Sequence, residues 1–253
     1  MNLADITPII ITYNEAPNIG RCLDKLTWAE DIVVVDSFST DETLAIVGGY
    51  PQARVIQRAF NGFSDQCNYA LRDTALKTDW VLFLDADYIL TDSLIDEVRE
   101  LKPKANNAVG YKTRFQYCIQ GKVLRGAFYP PVTTIFLRKN AVFCQDGHAH
   151  RIQLKGHVSS LESFIVHDDR KSFKRWFASQ KKYAAEEAVK LCSIGWRSLN
   201  WKDRIRKLVF VAPLLIFFYG LFGKGLILDG WPGIVYSGQR FIAEALLSKE
   251  LIK

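Results

Sequence analysis

The amino-acid sequence predicts an α/β fold with a mostly parallel sheet flanked by helices, and three observations indicate it. Apolar runs typical of buried strands recur in the first 100 residues, at 7–12, 31–36, 54–57 and 80–84. Segments with helical periodicity separate these runs. Three of the runs are followed by polar side chains. Strands that alternate with helices form parallel sheets with right-handed crossovers, and ligands bind beyond the carboxyl ends of such strands.

The helices expected between these strands lie at 15–26, 40–47 and 63–76. The first has an apolar face that includes Ile19, Leu23 and Leu26. Ser39 or Thr40 is expected to cap the second helix, because short hydroxyl side chains accept hydrogen bonds from the first free backbone N–H groups.

The fourth strand runs directly into Asp85-Ala86-Asp87, which is the most informative feature of the sequence. Two carboxylates at the end of a buried strand are costly unless a positive charge meets them. A divalent cation that carries a diphosphate would meet them, and oxygen ligands suit Mg²⁺ or Mn²⁺. The alternative is an ordinary strand end with two solvated acids.

The chain continues with strand-like segments at 108–137, 141–150 and 159–167, and then with an amphipathic helix at 172–191. At 253 residues the chain is long enough for one large domain or a domain with an extension. Five scattered cysteines without a Cys-x-x-Cys pair favour a reducing cytoplasm over a disulfide framework or a zinc site. The first residues show no secretion signal, which also favours a cytoplasmic location.

The positive charge is concentrated in one segment. Residues 170–207 contain twelve Lys and Arg against three acidic residues, although the whole chain carries a net charge of only +6. Such a segment favours an anionic partner or surface, and no nucleic-acid partner is expected. We therefore divide the chain into a domain at 1–170 and a helical extension at 171–253.

The extension ends in an apolar part. Residues 208–222 are almost wholly apolar but too few to span a bilayer, which needs about 20. The segment 196–207 before them interleaves basic residues with tryptophan. This combination predicts an interfacial helix, peripheral or monotopic, on an anionic membrane. Two alternatives stay open: a buried core helix, and a hairpin that spans the membrane twice.

Four motifs, in order, resemble the family 2 glycosyltransferases of the GT-A (Rossmann-like) fold, and the resemblance covers residues 8–167. They are Ile9-Ile10-Ile11-Thr12-Tyr13-Asn14-Glu15, Val33-Val34-Val35-Asp36-Ser37-Phe38-Ser39-Thr40-Asp41, Gln66-Cys67-Asn68-Tyr69-Ala70-Leu71 and Trp80-Val81-Leu82-Phe83-Leu84-Asp85-Ala86-Asp87. The C-terminal third is similar to short bacterial members that build lipopolysaccharide core or related surface glycans.

The resemblance implies a role for each matching residue. Asp36 would accept a hydrogen bond from the nucleotide base, typically uracil, and Asp87 would bind the metal. The other residues expected along the nucleotide are Thr12, Tyr13, Glu15, Gln66, Asn68 and Asp85.

Three residues at or just after the end of the last strand have more than one possible role. In several enzymes of this fold a histidine placed like His167 is a further ligand of the metal or the diphosphate, although a lone histidine is more often structural. Arg170 and Lys171 could neutralise the leaving diphosphate or belong to a solvated face.

The inverting mechanism that the family implies needs a general base for the acceptor hydroxyl. Similar short enzymes often carry a glutamate after a histidine, and the segment Gly147-His148-Ala149-His150-Arg151 has none. Asp146 is the nearest carboxylate and the first candidate. His148 is the second, because the ordinary pKa of histidine suits proton transfer near neutrality. Asp146-Gly147 could also be only a turn.

The resemblance therefore implies an inverting, metal-dependent transfer of sugar from a nucleotide-sugar, with a UDP-sugar as the expected donor. The acceptor would be lipid-linked or of the lipopolysaccharide type, at the inner face of the cytoplasmic membrane. Rival functions are sugar transfer to polyprenyl phosphate and a catalytically silent, nucleotide-binding membrane scaffold. A nucleotidyltransferase ranks lower, because no glycine-rich phosphate loop follows the first strand.

Overall fold

The computed structural model describes residues 1–146 and 149–253, and the chain forms two compact units. The first unit contains Met1–Gln116, Tyr129–Cys144 and His150–Arg170. The second contains Tyr117–Phe128 and Lys171–Lys253.

Eleven strands lie in the described part of the chain. In chain order they are β1 (Ile6–Thr12), β2 (Ile32–Asp36), β3 (Ala53–Gln57), β4 (Trp80–Asp85), β5 (Tyr88–Leu90), β6 (Ala108–Ile119), β7 (Lys122–Val123), β8 (Val132–Leu137), β9 (Ala141–Asp146), β10 (Ala149–Leu154) and β11 (His157–His167).

The α-helices of the same residues are α1 (Ile19–Asp24), α2 (Thr43–Val47), α3 (Phe63–Arg72), α4 (Asp92–Glu100), α5 (Pro103–Asn106), α6 (Phe173–Ser193), α7 (Trp201–Arg206), α8 (Val211–Phe218) and α9 (Trp231–Ile252). A π-helical turn, Tyr219–Gly223, continues α8. Short 3₁₀ turns complete the list at Leu3–Asp5, Arg138–Asn140, Trp196–Ser198 and Leu226–Asp229.

The main sheet has the order β3-β2-β1-β4-β8-β6-β11-β5 and is mixed, so the prediction of a mostly parallel sheet was wrong. The first four of these strands are parallel neighbours, as the sequence predicts. Beyond β4 the sheet continues with antiparallel pairs, β4 with β8 and β8 with β6. The helix-separated half is parallel because each crossover returns the chain to the same end of the sheet. Residues 108–137 lack such crossovers, and their strands run antiparallel.

Two apolar clusters form the core of the first unit. Consecutive residues of β1 divide between them, since Ile9 belongs to one cluster and Ile10 to the other. Side chains of a strand alternate between the two faces of a sheet, so a strand with both faces covered reads as a continuous apolar run. This burial explains why the strands at 7–12, 31–36 and 80–84 were visible in the sequence.

The predicted helix boundaries differ from the structure by up to four residues. Helix α1 begins at Ile19 rather than at residue 15, and α3 ends at Arg72 rather than at residue 76. The capping prediction was wrong: α2 begins at Thr43, and Glu42 is its N-cap. The residues expected as caps instead form hydrogen bonds within the loops described below.

Helices dominate the second unit. Helix α6 begins after Ser172, whose hydroxyl accepts a hydrogen bond from the Arg175 backbone N–H. Helix α9 packs against both α6 and α8. Pro213 does not interrupt the apolar segment, because it lies in the first turn of α8, where proline is tolerated. Across residues 1–146 and 149–253, no helix combines the length and the apolarity needed to cross a membrane.

Candidate functional site

The carboxyl ends of β1, β2 and β4 lie at one edge of the sheet. The strand register places Thr12 beside Asp36 and Ile11 beside Asp85. Parallel strands bring their carboxyl ends to the same edge, which is where such sheets bind ligands. Polar residues from three separate parts of the sequence therefore meet here.

Asp36 is fully buried at this edge and accepts four hydrogen bonds. Its Oδ1 accepts from the Thr12 hydroxyl at 3.1 Å and from the Ser39 hydroxyl. Its Oδ2 accepts from the Ser39 backbone N–H at 2.8 Å and from Gln57 Nε2 at 3.3 Å. These donors offset the cost of removing the carboxylate from water. A ligand donor must therefore replace one of them, and the Gln57 bond is the longest.

Asn14 joins the loop after β1 to the loop after β2. Its backbone takes a left-handed conformation, with φ of 55°. The Asn14 Oδ1 accepts from the Thr40 backbone N–H at 2.7 Å, and the Asn14 backbone N–H donates to the Ser39 hydroxyl at 2.7 Å. These bonds explain why neither Ser39 nor Thr40 caps α2. Asparagine after the first strand was part of the recognised motif, but its bracing role was not predicted.

Asp41 also connects the loop after β1 with the loop after β2 by hydrogen bonds. Its Oδ1 accepts from the Thr43 backbone N–H at 3.1 Å, and its Oδ2 accepts from the Ala16 backbone N–H at 3.3 Å. The Glu15 backbone N–H donates to the Thr43 hydroxyl at 2.7 Å. Exposed Tyr13 and Phe38 stand within this braced pair of loops. Phe38 lies in the second sequence motif, but no role was predicted for it.

Asp87 and His167 form a second polar cluster in the first unit. The register of β5 and β11 places His167 opposite Tyr88, so a residue 80 positions away comes next to Asp87. His167 Nε2 lies 3.2 Å from Asp87 Oδ2, and both side chains are nearly buried. Tyr88 and Tyr129 pack edge-on against the imidazole, with ring centroids 5.2 and 5.0 Å away.

The acidic neighbours of His167 outweigh its burial. Burial alone lowers the pKa of the imidazole, but the negative charge and hydrogen bond of Asp87 act in the opposite direction, with help from Asp85 and Asp169. The net result is a raised pKa for His167. The carboxylates around the imidazole therefore favour a proton or another cation at this place.

The donor set of this cluster fits a divalent cation that arrives with a diphosphate. Nowhere in the described sequence do three His, Cys, Asp or Glu residues form a complete metal cage. Magnesium in nucleotide sites is commonly bound by only one or two carboxylates together with phosphate oxygens and water. Asp87 can supply the carboxylate and His167 the second ligand, and Asp85 ends β4 two residues before Asp87.

The two helix residues expected along the nucleotide are both engaged with the protein. Gln66 is buried; its Oε1 accepts from Arg58 at 2.7 Å, and its Nε2 donates to the Ser37 hydroxyl at 3.2 Å. Asn68 bonds the Phe143 backbone twice, donating to its carbonyl at 2.8 Å and accepting from its N–H at 2.9 Å. Gln66 thus touches the loop after β2, whereas Asn68 holds β9.

Arg170 is part of an ion cluster around the buried Asp168. Asp168 Oδ2 accepts from Arg170 at 2.7 Å and from Arg21 at 2.8 Å. The Arg170 backbone N–H also donates to Asn18, which contacts Glu15. Arg170 therefore shares its charge with Asp168, and Lys171 begins the second unit. Their assignment to the diphosphate stays a prediction.

The side chains of both general-base candidates lie outside the described part of the chain. His148 lies outside the described residues, and Asp146 ends β9 with its side chain outside the description. Both assignments stay predictions.

Known proteins with the same fold and sequence pattern identify the family. The model of the family described as "Glycosyl transferase family 2" matches residues 7–149, more than half of the chain. One relative is the "Lipopolysaccharide core biosynthesis glycosyltransferase LpsC" of Rhizobium meliloti (strain 1021), with 26% identity over 253 residues, 92% of this chain and 88% of that protein.

Two solved structures show the fold. The mannosyltransferase PcManGT from Pyrobaculum calidifontis, in complex with GDP-Man and Mn²⁺, superposes with a TM-score of 0.55 at 16% identity and covers 98% of this chain and 87% of its own. Glucosyl-3-phosphoglycerate synthase from Mycobacterium tuberculosis, with Mn²⁺, UDP-glucose and phosphoglyceric acid, reaches 0.51 at 18% identity over 75% and 80%. The α/β architecture is thus GT-A-like, and the chain belongs to glycosyl transferase family 2 and is a glycosyltransferase.

Proposed function

We propose that this glycosyltransferase moves a sugar from a UDP-sugar to a lipid-linked or lipopolysaccharide-type acceptor, with inversion and with Mn²⁺ or Mg²⁺ as cofactor. The observation that carries the proposal is the pair of polar clusters, Asp36 at the edge of the sheet and Asp87 with His167. The first offers acceptors to a base, and the second offers ligands to a cation. The LpsC relative and the UDP-glucose and Mn²⁺ in a structural neighbour support the proposal.

Each residue has a defined task in this proposal. Asp36 accepts a hydrogen bond from the imide N–H of uracil, and the braced loops orient the ribose. Asp87 and His167 hold the cation that, when bound, stabilises the leaving diphosphate. Asp146, or else His148, removes the proton of the acceptor hydroxyl as it attacks the anomeric carbon in line.

The extension at 171–253 is the part of the chain that would bring the enzyme to its acceptor. It carries the basic segment and, as described below, an exposed apolar surface. We propose that it associates with the inner face of the cytoplasmic membrane, where a lipid-linked acceptor would be available. Sugar transfer to polyprenyl phosphate is a variant of the same proposal, and an assay with each class of acceptor distinguishes the two.

Calorimetric titration with UDP and GDP, each with and without Mn²⁺, tests the donor half. We expect Mn²⁺-dependent binding of UDP. We expect Asp36→Asn to weaken it by about tenfold or more, because a hydrogen bond to a charged group contributes about 1.5–3 kcal/mol.

Gln57→Ala is the matched control for this titration. It removes the weakest competitor for Asp36 Oδ2 but leaves the carboxylate in place, so UDP binding should stay equal or improve. Equal weakening by both variants would mean that they merely disturb the loop. Tighter binding of GDP than of UDP would contradict the donor assignment, and failure to bind either nucleotide would contradict the proposed function.

A further inference from the structure

The second unit exposes a continuous stretch of apolar side chains between residues 208 and 234. Phe210 is 81% exposed, Trp231 72% and Phe222 63%. Lys224 is the one charged residue between 208 and 228. Soluble monomers rarely expose a contiguous apolar patch of this kind unless it binds something. The alternative of a buried core helix for 208–222 is therefore wrong.

Helical spacing places much of this surface on one face. Phe210, Leu214, Phe218 and Phe222 follow one another at intervals of four residues, the spacing of one helix face. The rings of Phe218 and Phe222 stack nearly parallel, with centroids 6.3 Å apart. Helix α8 and its π-helical turn together reach about 20 Å, less than the roughly 30 Å of a bilayer core. The segment can lie within one leaflet but cannot cross both.

Close backbone contacts hold this surface in shape. A Cβ on Gly233 would clash with the Leu226 carbonyl oxygen, so the 3₁₀ turn packs directly on the start of α9. A Cβ on Gly220 would come within 2.8 Å of the Ser237 hydroxyl. These approaches fix the π-helical turn and the 3₁₀ turn against α9. The apolar side chains are therefore presented on a preformed scaffold.

The segment that leads into this surface, 196–207, has the composition of a membrane interface. Trp196 and Trp201 are exposed in it, and Trp231 is an exposed tryptophan of the surface itself. Arg197, Lys202 and Arg204 are exposed in the same basic segment. Tryptophan prefers the headgroup region, and cationic side chains are attracted to anionic lipids.

We propose that residues 208–234 form a monotopic docking surface that inserts into one leaflet of an anionic membrane, with the apolar side chains supplying most of the affinity. This inference deepens the proposed function, on which its biological purpose rests, by naming the partner and the contacting residues. Lipid fits better than a second copy of the chain, since a two-fold contact would bring the two basic segments close together.

Vesicle sedimentation tests the docking surface with the full chain. Phosphatidylcholine vesicles with and without phosphatidylglycerol are compared. We expect stronger binding to the anionic vesicles. We expect Phe218→Ser with Phe222→Ser to reduce it about a hundredfold, because a buried phenylalanine contributes at least about a factor of ten.

The matched control is Val189→Ser, which removes an exposed apolar side chain from α6 in the same unit. It should bind vesicles as the original chain does. Equal binding by the double phenylalanine variant, or a dimer in solution that this variant dissociates, would overturn the proposal. UDP binding with Mn²⁺, measured on the same samples, separates this outcome from a failure of the proposed function.

Phe38 supports a second inference from an independent observation. It has φ of 60°, a left-handed conformation that is strained for a bulky residue, and its ring is 53% exposed. The residues on both sides are fixed: the Ser37 backbone N–H donates to the Thr12 carbonyl at 2.9 Å, and Ser39 donates to Asp36. The strained conformation is therefore found in a residue whose ring is more than half exposed.

We infer that the Phe38 ring is a stacking platform for the base of the nucleotide, two residues after Asp36. This inference also rests on the proposed function. Phe38→Asn keeps a residue that tolerates the left-handed conformation but removes the ring. We expect UDP to bind it about 5- to 100-fold more weakly, the range for loss of base stacking.

Phe38→Tyr restores an aromatic ring and should restore UDP binding. Thermal unfolding of both variants should resemble that of the original chain, which shows that the loops survive. Unchanged UDP affinity in Phe38→Asn would overturn the stacking role. Failure of the original chain to bind any nucleotide would contradict the proposed function itself, not the stacking role in particular.

Discussion

Asp87→Asn is expected to reduce turnover of the nucleotide-sugar by at least about a thousandfold. Asparagine keeps the volume and the backbone, including the carbonyl that accepts from the Asp168 N–H at 3.2 Å. It removes the negative charge that faces His167 and that would hold the cation. Stabilisation of a leaving group by a metal amounts to several kcal/mol, and about 4 kcal/mol corresponds to three powers of ten in rate.

Steady-state rates over a range of Mn²⁺ concentrations test this expectation. Asp96→Asn is the control, because Asp96 is an exposed α4 residue paired only locally with Arg99 at 2.7 Å. It should leave the rate and its metal dependence unchanged. A folded Asp87→Asn protein with the original rate and metal dependence would rule out the assignment of Asp87 to the cation.

Arg206→Met is expected to have the largest effect on stability. Arg206 donates to Glu187 at 2.8 Å and to Glu244 at 3.2 Å, and both carboxylates are nearly buried. Removal of the arginine would leave these two carboxylates of α6 and α9 without the cation that they share, with Lys190, 3.7 Å from Glu187, as a remaining positive neighbour. Breaking a buried ion pair in this way costs about 3–5 kcal/mol.

Hydrogen exchange of the α6 and α9 amides measures this loss within the second unit, where a global melting curve would mix two units. Adding Glu187→Gln and Glu244→Gln to Arg206→Met should recover most of the protection, because the uncompensated charges disappear. The exposed Arg197→Met should change protection by no more than about 0.5 kcal/mol. Similar protection in Arg206→Met and Arg197→Met would show that the ion network contributes little.

Much of the donor half of the fold was predictable because its signals are local. Buried parallel strands appear as apolar runs, and their carboxyl ends must share one edge, so Thr12, Asp36 and Asp85 could be grouped before any coordinates. The same local rules failed at Ser39 and Thr40. These residues have the chemistry of helix caps, yet the Ser39 hydroxyl bonds Asp36 and the Thr40 backbone N–H bonds Asn14, which follows the neighbouring strand.

The pairing of strands that are far apart in the sequence could not be predicted from these local signals. His167 meets Asp87 only because β11 pairs with β5, and no pattern near either residue encodes that pairing. The strand order in the antiparallel half of the sheet could not be predicted for the same reason. Strands without intervening helices can be arranged in several orders, and the choice depends on packing between distant side chains.

The sequence by itself determined the α/β class, the four parallel strands, the nucleotide-binding motifs of the family and the uneven charge. These features depend on residues that are close together in the sequence, namely the apolar periodicity and the polar residues at strand ends. The tertiary structure decided that Asp36 is fully hydrogen-bonded, that His167 adjoins Asp87, and that the apolar segment 208–222 faces outward. An apolar run has the same composition whether it is buried or exposed. Only the packing of the helices in the second unit decides which of its side chains remain exposed.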